Sequence, residues 1–79
     1  MSREIYQLTV LHPGERKKPD VFPEARITAT ENRKIVSFAV DGQHMDRLCF
    51  ASICWSEDRS FAMVFGENSD GVKKVWVVE

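Results

Sequence analysis

The sequence predicts a mainly β domain: a small six-stranded antiparallel meander, closed into a curled sheet or a small barrel. Three observations predict it. Apolar residues recur at every second position in several short runs, which is the period of a half-buried strand. Turn-forming residues separate those runs, Asp41-Gly42 most clearly. A sheet of six short strands in 79 residues would leave long edges raw unless it curled on itself.

The elements follow in order. Residues 4–11, EIYQLTVL, place Tyr6, Leu8 and Val10 on one face. Residues 12–24, HPGERKKPDVFPE, hold all three prolines, and each removes a backbone donor and disfavours regular structure just before it. A loop is expected there, long enough to suggest function. Residues 25–30 alternate again, with Ala25, Ile27 and Ala29 together. Glu31-Asn32-Arg33 reads as a tight turn. Val36, Phe38 and Val40 then face inward from residues 34–40. Asp41-Gly42 supplies the two positive φ angles of a type I′ turn, so the chain doubles back.

Residues 43–55 are apolar on both faces in their second half and rich in strand formers, which suits a strand covered on both sides. A short helix within 43–55 is the alternative. SEDRS, residues 56–60, is a polar turn. Phe61, Met63 and Phe65 share a face of the next strand, and residues 67–71 turn again at Gly71. The last strand, VKKVWVVE, is ambiguous: Val72, Trp76 and Val78 compete with Val75 and Val77 for the interior.

Composition bounds the class. Residues 1–79 make one domain, with 43% hydrophobic and 29% charged residues, as in a folded soluble protein. The net charge of −1 weighs against non-specific nucleic-acid binding. No basic region precedes an apolar run at the start, so a signal peptide is not expected. No run approaches the roughly 18 apolar residues of a membrane helix. Two cysteines do not make a secreted disulfide framework, and a reduced, cytoplasmic setting is expected.

Candidate chemistry is sparse. Five positions separate Cys49 from Cys54, which in a regular strand puts them on opposite faces roughly 16 to 17 Å apart. That excludes a bridge or a shared ion and predicts two buried thiols, slow to react. His12 and His44 read as surface or hydrogen-bonded residues. A Cys54–His44 dyad would need a convergence that nothing local enforces. No motif for nucleotide, metal or acyl chemistry is present, so no catalytic residue, metal or cofactor is expected.

The expected function is that of a small non-enzymatic protein-interaction module, an adaptor or inhibitor of a larger protein. Its binding arm is the 12–24 loop. Arg16, Lys17 and Lys18 would steer the partner, and Val21 and Phe22 would anchor it. Against this stands a plainer expectation, that Phe22 packs onto the end of its own barrel. A second route is an edge strand, with VKKVWVVE as the candidate, adding a partner's strand or forming a homodimer. The alternative is a single-stranded nucleic-acid binder using Arg33, Lys34, Lys73, Lys74 and Trp76, with Tyr6, Trp55 and Phe61 as further stacking surfaces.

Overall fold

The computed structural model describes residues 5–30, 32 and 34–79. They form six strands: β1 Ile5–Leu11, β2 Asp20–Ala29, β3 Ile35–Val40, β4 Gln43–Trp55, β5 Ala62–Glu67 and β6 Lys73–Val78. Each strand pairs antiparallel with the next, and β6 pairs back onto β1, closing a barrel. The chain is all-β among the described residues, and residues 43–55 are strand throughout. Glu4 and two residues of the expected turn, Glu31 and Arg33, lie outside the described residues.

Alternation sets most of the interior. Leu8, Val10, Ala25, Val36 and Phe38 are buried, as their spacing predicts. The β3–β4 connection is the expected one: Asp41 and Gly42 have φ of 53° and 77°. The ambiguous last strand turns Lys74, Trp76 and Val78 inward, leaving Val75 and Val77 half-buried outside. On β5 the inner residues are Ala62 and Val64, so Met63 and Phe65 share the outer face. Volume explains this choice. Trp76 lies opposite Val64 across the β5–β6 pair and fills the barrel centre, where a phenylalanine from β5 would overpack it.

Trp76 is fully buried, and its indole Nε1 has no hydrogen-bond partner among the described residues. An unmet donor costs about 1 to 3 kcal/mol. Burying 150–250 Å² of aromatic surface returns about 4 to 6 kcal/mol at roughly 25 cal/mol/Å². Burial wins. Phe38 packs against this ring at 89° with centroids 5.0 Å apart, and Phe22 lies 5.0 Å from Phe38 on the other side. These aromatics fill the barrel toward the end where β1 finishes. Toward the other end the inner residues are smaller, including Ala29, Ala62 and Val78, and a hollow of about 220 Å³ opens beside Trp55.

Two sequence expectations fail here. β4 is not covered on both faces, because a closed barrel has a single interior. The pairing of β4 with β5 also slips between Cys49 and Ser52. This bulge inserts one residue, Phe50, and restarts the alternation: Leu48 is buried, then Ala51 and Ile53 pack on the core. Cys49 and Cys54 therefore face outward together, half-buried and exposed respectively, and both are free thiols. Cys54 is expected to react rapidly with a thiol reagent in the native protein, and Cys49 more slowly. Protection of Cys54 in a mass-resolved labelling time course would contradict this placement.

Candidate functional site

Phe50 is the residue that the fold exposes most at odds with its chemistry. Its side chain is 79% exposed, and its backbone has φ of 54°. A side chain in that left-handed region costs of order 1 to 3 kcal/mol, and a bulky residue rarely adopts it unless its surroundings hold it there. The surroundings are visible. The N–H of Ala51 donates to the Lys34 carbonyl at 3.0 Å, tying the bulge to the start of β3. On the other side, Gly66 of β5 lets the bulge come close. A Cβ there would lie 2.9 Å from the Cys49 carbonyl oxygen and 3.0 Å from the Leu48 Cβ. Gly66→Ala is accordingly expected to cost about 1 to 3 kcal/mol, as overpacking does. Unchanged melting, with unchanged chemical shifts at Phe50, would dismiss this role for Gly66.

Phe50 forms a ridge between two shallow grooves. One, of about 380 Å³, is walled by Pro13, Phe65, Glu67, Lys73 and Val75. The other, of about 460 Å³, is walled by Thr30, Asn32, Lys34, Ile35 and Cys49. Phe65, 43% exposed, stands opposite Val75, and Val75 opposite Leu11, so an apolar stripe crosses the outer sheet and ends at the ridge. Each groove has an exposed lysine on its wall: Lys73 in the first, Lys34 in the second.

The loop before β2 closes the same end of the barrel. It spans residues 12–19 only, because β2 already begins at Asp20. Lys74 points into the barrel end, and its Nζ donates to Glu15 Oε2 at 2.6 Å and to His12 Nδ1 at 2.9 Å. An ammonium only donates, so Nδ1 accepts, and the ring proton at Nε2 donates to Asp20 Oδ2 at 2.9 Å. The His12 side chain is 4% exposed, and both its nitrogens are committed to holding the loop. The Lys74 hydrogen bond and charge hold the Glu15 carboxyl below the ordinary glutamate range. A depressed carboxyl stabilises the fold above its unfolded value, and that contribution is lost as pH falls through the lower folded value. Amide relaxation at residues 13–18 is therefore expected to show a loosening step below the ordinary glutamate range, absent in Glu15→Gln. The same acid step in both proteins would assign it elsewhere.

The sequence-predicted residues separate into groups. Arg16, Lys17 and Lys18 are exposed on the tethered loop. Val21 and Phe22 are not loop residues but part of β2. Val21 is exposed on the outer face, whereas Phe22 is half-buried against Phe38, so it packs on its own barrel. The proposed nucleic-acid face does not assemble. Trp76 is in the core, Lys74 is buried, and Arg33 lies outside the described residues. Lys34 and Lys73 remain exposed, but around Phe50. Tyr6 and Trp55 line the hollow at the opposite mouth of the barrel. The edge-strand route fails too, since β6 pairs with both β5 and β1 and offers no free edge to a second copy.

Sequence reasoning missed Phe50. Nothing in CFAS marks a bulge. The available signal was Gly66, an isolated glycine in a strand pattern, which often marks a close backbone approach.

The hollow beside Trp55 is lined by apolar side chains, with the Arg59 guanidinium 5.8 Å from the centre of the Trp55 ring. Among the described residues its lining is predominantly apolar, without a cluster of charged or amide groups to orient a small ligand. Among the described residues no three His, Cys, Asp or Glu side chains gather as metal ligands, and no helix is long and apolar enough to cross a membrane. No protein-family model matches the chain, no curated protein matches its sequence, and no solved structure matches its fold.

Proposed function

We propose that this barrel is a small non-enzymatic protein-interaction module, of the adaptor or inhibitor kind, whose anchor is Phe50. The observation that carries this reading is the 79% exposed phenylalanine held at positive φ. Strain and apolar exposure both count against a purely structural residue, and the exposure is removed if the ring enters a partner's pocket. Aromatic anchors surrounded by weaker contacts carry most of the energy at such interfaces. The basic run Arg16, Lys17 and Lys18 follows Pro13, a wall of the adjoining groove, and would steer an acidic partner. The exposed free thiol of Cys54 suits a reducing, cytoplasmic setting.

The second reading is a single-strand nucleic-acid binder, favoured by one observation: Lys34 and Lys73 flank an exposed aromatic ring.

The test is a photoreactive phenylalanine at position 50, with the same group at the exposed Thr28 as control. Illumination in source lysate is expected to give a defined protein adduct from position 50 only. Excess wild-type protein should compete it away, and Phe50→Ala should not. Equal adducts from both positions, or none from position 50, would end the proposal. Salt-sensitive binding of labelled single-stranded oligonucleotides that requires Phe50 would replace it with the second reading.

A further inference from the structure

Resting on the reading of Phe50 as a protein anchor, the shape and charge around it narrow the partner. We infer that the barrel receives an extended, acidic segment that crosses the Phe50 ridge, with an apolar side chain in each groove and carboxylates at Lys34 and Lys73.

The geometry carries the first half. A single convex binding surface would suit the flat or hollow face of a folded partner. Here the ridge has a hollow on each flank, about 380 Å³ on one side and about 460 Å³ on the other. In an extended chain, side chains two residues apart share a face at roughly 6 to 7 Å, a spacing that lets two of them bracket one phenyl ring. The walls they would meet are Val75 and Phe65 on one flank, Ile35 and Cys49 on the other. Aliphatic walls take aliphatic or aromatic side chains. They offer no second flat face to a stacked base beyond Phe65, which favours a peptide over an oligonucleotide.

Charge carries the second half. Lys34 and Lys73 are exposed, one per groove. Among the described residues Glu67 is the acid on these walls, and it lies directly across from Lys73 in the β5–β6 pairing, whereas the wall that holds Lys34 has no described acid. The loop adds Arg16, Lys17 and Lys18 beyond Pro13, while Lys74 and Glu15 satisfy each other. The margin of the site is therefore net positive on a protein whose overall charge is −1. Such local inversion attracts carboxylates and repels basic segments.

A random peptide display library selected on the wild-type protein tests this. Enriched peptides are expected to carry acidic residues on both sides of an apolar residue. Their binding should weaken about fivefold to tenfold with Lys34→Glu or Lys73→Glu, and fall away with Phe50→Ala. All three positions are exposed, so folding is expected to survive, as melting would verify. Peptides that need Phe50 but lack acids, or ignore both lysines, would overturn the inference and leave the module standing. The same holds if no peptide is enriched while the position-50 crosslink still captures a protein, since the partner then offers a folded surface. No peptide and no crosslink would remove both. Oligonucleotides that bind through Phe50 and both lysines would make the occupant a nucleic acid.

Discussion

Phe38→Ala is expected to destabilise the protein by about 3 to 5 kcal/mol, the cost of emptying a buried aromatic site. Phe38 is 4% exposed and stands between Phe22 and Trp76, each 5.0 Å away between ring centres. Removing it strips an aromatic partner from both neighbours and leaves a void in the middle of the barrel. A domain of this size has a total stability of about 4 to 12 kcal/mol, so much of it would go. At roughly 4 to 8 °C per kcal/mol, the melting temperature should fall by at least about 12 °C. Phe22→Ala is the comparison, and its smaller effect follows from being only half-buried. A Phe38→Ala protein that melts like the wild type would mean the core has been placed wrongly.

Phe50→Gly should do the opposite to stability and far more to binding. Glycine adopts positive φ at no steric cost, so relief of of order 1 to 3 kcal/mol of strain competes with roughly 0.5 to 1 kcal/mol of added chain entropy in the unfolded state. The variant is expected to melt at or above the wild-type temperature. An anchor of this kind is worth about 2 kcal/mol or more, so partner affinity should drop at least about thirtyfold. Stability and affinity thus move apart, which a structural residue would not show. Loss of stability together with retained affinity would remove Phe50 from the site.

The two residues also mark how far the sequence was legible. Phe38 announces itself because β3 alternates without interruption between Ile35 and Val40, and its turn type is written in Asp41-Gly42. β4 is different. Its composition says strand correctly, but parity across its second half depends on one inserted residue. From composition the insertion is invisible, and simple alternation places Cys49 and Cys54 on opposite, covered faces. On β5 the shared face of Met63 and Phe65 was legible, but not which face turns inward. Met63 and Phe65 are the larger residues, yet Ala62 and Val64 go inside because the neighbouring strand brings Trp76. That contest is settled by tertiary volume. The loop was partly legible: its basic run is exposed as expected, but Lys74, read as a surface cation, reaches inward from 59 residues away to hold Glu15.

The pairing of β1 with β6 has a kinetic consequence. It joins the two strands most remote in sequence, so it forms only after a long segment has been gathered in. Proteins dominated by such distant contacts fold on the millisecond-to-second scale, well behind the microseconds of an isolated hairpin. The β3–β4 ribbon should therefore organise early and the seam late. In the interval, the open edges of β1 and β6 face water with Trp76 not yet covered, and a nascent or nicked chain lacking β6 would keep the edges of β1 and β5 open to aggregation.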